Sequence, residues 1–590
     1  VTSALVVCST TLQAQRLLSD SPIFQSLSSR VGTLENSAAQ TVVKSNGSLI
    51  PSSSAYSING TTGAASFGGL TASGLTVVPT RAVGDKSTAI ATTAYVDRLV
   101  PIFPVNAYGA DPTGATPSDA AVTAALNAIG MSNGVMTGQG CLVFGAGTYR
   151  FSAAIAVTLS QATRNNFCIR GQGPSATMLV WSQASSGITI TTQGQSNNFQ
   201  ISDLAFLTTL AGGGTALSVT NTGAFGGGDA NTSNVTNVYF AGDDKTTLHD
   251  NNLHYWNNAV ITTAVSNVNY DGVSIAGAGL SGLGRGIVVQ GNGTTGVYGL
   301  SANITRSFFY ATEIGVIYGT YFQGLMVSQS TFVNGKYGLY SPPTSLYTDQ
   351  MQVLNNEFDT TADGINVGNM THLIVMGNLF FLHSSGTSAI SIQSAQSSII
   401  QGNVVNGPQT IPSNMSGVYA YASINNNGGV ISGNQFYNMD TGVKLMSGAV
   451  NYKVSNNSYI GNNTNIANLG SNNDIRDSMA VTVNTPVGLG SGGVIALEAG
   501  SDIFAGSVHL TTGSSGAGNS GYFKLQFPYN APNRWVCTFT PNDTTALWGS
   551  GGKFSGGFFS SSVVNMFWSN GSAVLSNSSD YYINYTCAAR

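Results

Sequence analysis

Two carboxylates separated by one residue stand in the segment Val353-Leu354-Asn355-Asn356-Glu357-Phe358-Asp359. If Phe358 faces the interior of a strand, Glu357 and Asp359 both face outward, because side chains alternate along an extended chain. Their Cα atoms then lie about 6.6 Å apart, two rises of roughly 3.3 Å. Carboxyl groups about 6.5–9.5 Å apart suit inverting glycoside hydrolysis, in which one protonates the leaving oxygen and the other activates water. Asp349, just upstream, is a third carboxylate able to join them. Equivalent positions in neighbouring segments carry Thr331 and Val333, Leu379 and Phe381, and Gln435 and Tyr437, so the acidic pair is local. Phe381 and Tyr437 offer flat rings for stacking against a substrate. An elimination would instead want a base beside Arg306 or Tyr310, and His372 and His383 are further acid–base candidates. With no chemistry at all, the same acids would simply keep a sparsely charged surface hydrated.

Sparse charge is a property of the whole chain. Its 590 residues hold 20 Lys+Arg and 24 Asp+Glu, about 7% charged, where ordinary globular proteins carry about 25%. Yet 42% of residues are apolar, enough to bury a core, so the solvent face must be built from hydroxyls and amides. A net charge of −4 without basic clusters excludes a nucleic-acid binder. No apolar run is long enough to span a bilayer as a helix. Cys8, Cys141, Cys168, Cys537 and Cys587 are too few and scattered for a disulfide framework, and no Cys/His cluster marks a metal site, so neither metal nor cofactor is expected. Cys537 and Cys587 share a C-terminal segment and could pair, although free or buried thiols are the simpler expectation. Asp243, Asp244 and His249, in one insertion, are the place where a Ca²⁺ could be held. Glu313, Asp363 and Asp440 each precede a glycine and read as turn residues. The apolar opening Val1–Cys8 fits either a trimmed signal segment or a short buried element.

The elements that position these residues come from a repeat. An aliphatic residue, three mostly small or amide residues, a free position and an apolar residue recur at Ile201–Phe206, Val235–Phe240, Val265–Tyr270, Ile304–Phe309, Val327–Phe332, Val353–Phe358, Val375–Phe380, Ile400–Val405, Ile431–Phe436 and Val454–Tyr459. The starts are 22 to 39 residues apart, and several intervals of 22–26 match the period of a β-solenoid coil. Asn356, Asn378, Asn403, Asn434 and Asn457 occupy one phase, where stacked amides can bridge coils at a tight bend. Six residues past the aromatic position, Gly315, Gly338, Gly364 and Gly442 open a second short strand. Two strands and two bends per coil predict an all-β, right-handed, single-stranded parallel β-helix. At about 4.8 Å per coil the ten copies span roughly 50 Å, and 141–200 should add two or three coils.

Flanking segments carry resemblances to known families. Pro79-Thr80-Arg81-Ala82-Val83-Gly84-Asp85-Lys86-Ser87-Thr88-Ala89-Ile90-Ala91-Thr92-Thr93-Ala94-Tyr95-Val96 resembles a segment of bacteriophage and prophage tail-fibre proteins. Tyr108-Gly109-Ala110-Asp111-Pro112-Thr113-Gly114, a helix capped by Ser118 or Asp119, then Cys141–Phe144 and Gly147-Thr148-Tyr149, resemble the start of pectate-lyase-like β-helices in phage tailspikes. The ending Tyr581-Tyr582-Ile583-Asn584-Tyr585-Thr586-Cys587 resembles terminal domains of phage tail proteins. Residues 1–40 then form an N-terminal helix or signal remnant, 41–103 a shaft or linker, 104–480 the β-helix and 481–590 a C-terminal β-sandwich for trimerisation or carbohydrate contact. The resemblance implies a homotrimer, attached to a phage tail or baseplate through its N-terminus, in the virion tail or outside the cell. It implies binding and depolymerisation of a bacterial surface polysaccharide (capsule, exopolysaccharide or O-antigen). With the carboxylate spacing above, a glycoside hydrolase is favoured over a lyase, with Glu357, Asp359 and Asp349 catalytic and Phe381, Tyr437, Tyr310 and Arg306 substrate-binding. A non-enzymatic receptor-binding fibre or secreted adhesin is the alternative, and the 79–96 segment disfavours a monomeric cell-wall pectin enzyme.

Overall fold

In a computed structural model the chain divides into two compact units, 1–101 and 102–590. The described residues are short strands between 42 and 72 and, with brief gaps, 102–589. The helix or signal remnant expected at 1–40, the segment 79–96, Cys8 and His249 lie outside them. In the first unit Val42–Val43, Leu49–Ile50, Tyr56–Asn59, Ala64–Phe67 and Leu70–Ala72 make an antiparallel meander.

The second unit opens with the helix Asp119–Ile129, which buries Ala121, Val122, Ala125, Leu126 and Ile129 against the first strands. Ser118 occupies the N-cap position, but its hydroxyl accepts from Asp111 N–H instead of capping the helix. Asp119 accepts from the N–H groups of Ser152 and Ala153. Asp111 accepts from Thr113 and Thr116, and these bonds hold its carboxyl well below the usual range. Both aspartates therefore organise turns.

The solenoid has three strands per coil, not the two expected, because the conserved-phase amide splits the first predicted strand at a corner. A first ladder of fourteen parallel strands runs from Ile102–Pro104 through Asp349–Leu354 to Asp474–Ile475. A second runs from Gly147–Phe151 through Glu357–Thr360 to Ser458–Ile460, and a third from Val135–Met136 through Ile365–Val367 to Thr464–Asn468. Inward positions stack by type. Val327, Val353, Val375, Ile400, Ile431 and Val454 line the first ladder. Phe309, Phe332, Phe358 and Phe380 line the second, with ring centroids 4.5–4.8 Å apart. The repeat copy read as Val265–Tyr270 was out of phase. Tyr270 pairs between Val235 and Ile304 on the first ladder, while Ile275 fills the aromatic position between Phe240 and Phe309.

Glycines opening the third ladder make room for that ring stack. A Cβ on Gly338 would lie 2.5 Å from the ring of Phe358, and one on Gly364 2.7 Å from Phe380. At the corner, Asn356 Nδ2 donates to Asn378 Oδ1, and the relay continues through Asn403, Asn434 and Asn457 to Asp477, at 2.6–3.0 Å. Each Oδ1 also accepts the backbone N–H of the amide one coil earlier, as Asn403 does from Asn378. In earlier coils Ser330 and Ser307 take the same place.

Two four-stranded antiparallel sheets follow. Thr482–Val487, Ser520–Gln526, Val563–Ser569 and Lys553–Ser560 form one, and Val494–Leu497, Ala505–Thr511, Asp580–Ala589 and Trp535–Pro541 the other. Phe523, Leu525 and Trp568 of the first and Val508, Leu510 and Ile583 of the second are buried, as a β-sandwich requires. Cys537 and Cys587 are cross-strand partners joined as a disulfide. A second disulfide joins Cys141 to Cys168, which are stacked one coil apart on the first ladder with Cα atoms 4.4 Å apart. The expectation of free or buried thiols at Cys537 and Cys587 is corrected, and the Cys141–Cys168 pair is one that the scattered cysteines did not suggest; register brings both pairs together.

Asn403→Ala would strip the acceptor from two N–H groups of Asn378 and the donor from the Val375 carbonyl and Asn434. Each orphaned buried group costs about 1–3 kcal/mol, so the loss should reach at least about 3 kcal/mol. Asn403→Ser, which keeps an acceptor as Ser330 does, should lose less. Denaturation midpoints would check this, and equal losses would show that the side-chain oxygen is not what holds the corner.

Candidate functional site

Phe358 is fully buried in the ring stack, so the strand Glu357–Thr360 turns Glu357 and Asp359 outward as the alternation required. Glu357 is exposed, stands between Thr331 and Leu379 in register, and its carboxylate has no partner among the described residues. Asp359 stands between Val333 and Phe381. Its Oδ1 is hydrogen-bonded to Nε2 of His383, which reaches back from the next coil. The Asp359 side chain is 29% exposed and that of His383 55%, so the pair is open to a ligand. An imidazole held by a carboxylate through one nitrogen presents the other outward, the arrangement of an oriented base.

Aromatic side chains lie along the same outer face. Phe381, Asn406 and Tyr437 form one column with Asp359, as expected, and Tyr437 donates to Gln435 Oε1 at 2.8 Å. On the other side of the acids Tyr310 heads that column through Val333. Tyr310 is buried, so it forms part of a wall and not an open plate. With Pro174, Ser175, Tyr239, Ser274 and Phe308 it lines a groove of about 450 Å³. Tyr239 and Phe308 were not picked out from the sequence. The signal was available in Ser307-Phe308-Phe309-Tyr310, where an inward Phe309 turns both neighbours outward.

Asp349 does not join Glu357 and Asp359. The corner at Asn355-Asn356 lies between them, so Asp349 belongs to the first ladder, where its Oδ1 meets His372 Nδ1 at 2.5 Å. Near it, Asn303, Gln323, Met326, Gln350 and Gln352 line an amide-rich depression of about 350 Å³. Arg306 occupies a corner with a left-handed backbone, φ 50°, and pairs with Asp271 one coil earlier. Glu313 pairs with Arg285, and Asp363 and Asp440 accept turn N–H groups, as turn residues should. Burial pushes the Asp363 carboxyl above the ordinary range. In the insertion where a cation could be held, Asp243 Oδ1 lies 2.7 Å from His254 Nδ1 and Asp244 Oδ2 accepts from Leu253 and His254 N–H. Asp244 Oδ1 is buried without a hydrogen-bond partner among the described residues, and one ligand atom from each of Asp243, Asp244 and His254 lies within 4.8 Å of the others.

Residues 281–485 match the family model described as periplasmic copper-binding protein (NosD). No curated protein matches the chain. Among solved structures, the Dettilon tailspike protein (gp208) is 13% identical with a TM-score of 0.47, covering 86% of this chain and 98% of that one. Tailspike protein gp49 of Pseudomonas phage LKA1 is 10% identical with a TM-score of 0.40, covering 82% and 99%. A DFA-IIIase variant from Arthrobacter chlorophenolicus A6 is 13% identical with a TM-score of 0.43, covering 63% and 94%. No residue correspondence is drawn from these likenesses.

A half-exposed acid–imidazole pair contributes about 0–1 kcal/mol to stability. Asp359→Asn and His383→Ala should therefore each leave the unfolding midpoint within that margin. A loss of several kcal/mol in either would make the pair a structural clasp.

Proposed function

We propose that this protein binds a bacterial surface polysaccharide along the outer face of the second ladder and hydrolyses it there. The observation that carries the reading is the unpartnered Glu357 carboxylate beside the Asp359–His383 pair, with aromatic side chains on both sides along the ladder. Glu357 is placed to protonate the leaving glycosidic oxygen. The Asp359–His383 pair takes a proton from the attacking water, an inverting division of labour between an acid and a base. Phe381 and Tyr437 supply ring faces for neighbouring sugars. Arg306 remains a substrate contact at the rim, its side chain 64% exposed.

The tail-fibre resemblance at 79–96 supports the wider setting. In it the chain is a homotrimer in a virion tail, its first hundred residues form the attachment and shaft region, and its terminal sandwich serves assembly or glycan contact. Two disulfides support an oxidising, extracellular location. The alternative of a binding fibre that cleaves nothing draws on Asp349–His372, which repeats the acid–imidazole pairing away from the aromatic groove.

Purified protein incubated with surface polysaccharides from candidate host bacteria should release reducing ends and shorten the polymer. No ultraviolet absorbance from unsaturated uronic acids should appear. Glu357→Gln should lower turnover by about 10²–10⁴, the usual worth of a positioned proton donor, and Asp359→Asn should lower it comparably, both without loss of binding. Binding with unchanged polymer length would favour the fibre, and absorbance would redirect the chemistry to elimination. Sedimentation at three times the chain's 60.7 kDa would support the trimer, and a monomer would overturn it.

A further inference from the structure

Resting on the polysaccharide-binding reading, we propose that the groove walled by Pro174, Tyr239, Ser274, Phe308 and Tyr310 is a subsite for an N-acetylated sugar unit of the polymer. The outer face of a solenoid is ordinarily polar, as it is at Thr331, Glu357 and Gln435. Toward the N-terminal coils of the second ladder it changes character. The outward residues Val180, Ala205, Leu207, Ala241 and Ala276 are buried, with Met178 and Tyr239 packed on them. Of this group Tyr239 and Ala276 line a recess of about 450 Å³, within the range of about 300–1,000 Å³ usual for small-molecule sites, which are mostly apolar with a few placed polar groups.

The lining chooses among sugars. Among the described residues it contains no Asp, Glu, Lys, Arg or His, and burial pushes the Tyr239 hydroxyl well above its ordinary range. A uronate carboxylate would lose its water there with no cation to meet it, and that is costly. A plain hexose would press hydroxyls against apolar walls and leave some unpaired. An acetamido group fits both parts of the lining: its methyl meets Ala276 and the ring of Tyr239, and its N–H and C=O meet the hydroxyls of Ser175 and Ser274. The half-buried ring of Phe308 gives the pyranose a face to stack on, and the buried ring of Tyr310, 8° from parallel with its centroid 6.4 Å away, forms part of the wall. Register ties this recess to the acids. Ser274, Phe308, Thr331 and Glu357 are successive partners, so Phe308 stands two ladder steps, about 10 Å, from Glu357.

The test is a binding titration on the full chain carrying Glu357→Gln, so that cleavage does not remove the polymer. The probes are host surface polysaccharides, native and chemically N-deacetylated, with N-acetylglucosamine, N-acetylgalactosamine, N-acetylmannosamine, their parent hexoses and glucuronic acid as competitors. N-deacetylation should weaken binding at least tenfold, and an N-acetyl sugar should compete where its parent hexose and glucuronic acid do not. Phe308→Ala should bring affinity for the native polymer down to that for the deacetylated one. Ser274→Asp, a charge placed in the groove from a half-buried outward position, should do the same even if Phe308→Ala fails to fold. Equal binding of native and deacetylated polymer would overturn the subsite while leaving the polysaccharide reading intact. Failure of the unsubstituted chain to bind any polymer would overturn both.

Discussion

From Ser307 to Asn457 each coil turns a corner that backbone pairing alone does not satisfy. Between the first and second ladders the chain bends sharply, and N–H and C=O groups that a straight strand would pair are buried without a ladder partner. A buried amide supplies the missing donor and acceptor: Asn378 takes the N–H of Asn356, gives to the Val353 carbonyl and passes a bond to Asn403. The residue before each such amide adopts a left-handed backbone, as Asn355, Gly377, Gly402, Gly433 and Asn456 do, and Gly and Asn tolerate that conformation best. The relay terminates on Asp477, which accepts from both Asn457 and Tyr459. A buried network of this kind stabilises only when complete, so the corner fixes the coil-to-coil register and, with it, everything outside.

Register is what converts a repeat into a site. The phenyl stack behind Glu357 and Asp359 leaves them no freedom to face inward, and the glycines of the third ladder let the rings sit against the opposite wall. Outward residues of adjacent coils stand about 4.8 Å apart, so a polymer lying along the axis meets a new row of side chains at each coil. Chemistry on such a scaffold depends on which types share a column. The column of Tyr310, Val333, Asp359, Phe381, Asn406 and Tyr437 mixes aromatic, apolar, acidic and amide groups.

Stacking like on like is also why so much of the fold was legible. A core built by repetition needs the same type at the same phase, so Val353, Asn356, Phe358 and Gly364 announce their places. Where phase slips, reading fails: Val265 and Tyr270 imitate the repeat, and only the pairing of Tyr270 with Ile304 reveals the shift. The three-strand coil was hidden because a corner amide breaks a strand without breaking its alternation. Contacts between coils were equally hidden. Cys141 and Cys168 are 27 residues apart, one coil's length, but the weak repeat before residue 200 left that coil unphased. Asp349 reads as a neighbour of Glu357 along the chain and is separated from it by a corner in space.

The two acid–imidazole pairs show how far residue type alone can carry an assignment. Asp349 with His372 and Asp359 with His383 are separated by 23 and 24 residues, one coil each, and in both the histidine reaches back to an acid of the preceding coil. As isolated chemistry they are equivalent. They differ in company: the first borders amides of Gln323, Gln350 and Gln352, while the second adjoins an unpartnered carboxylate and a line of rings. An oriented imidazole can move a proton usefully only where a second proton-transfer group and a binding surface adjoin it. On this solenoid an unpartnered acid, Glu357, and a line of rings adjoin such a pair after the corner, on the second ladder.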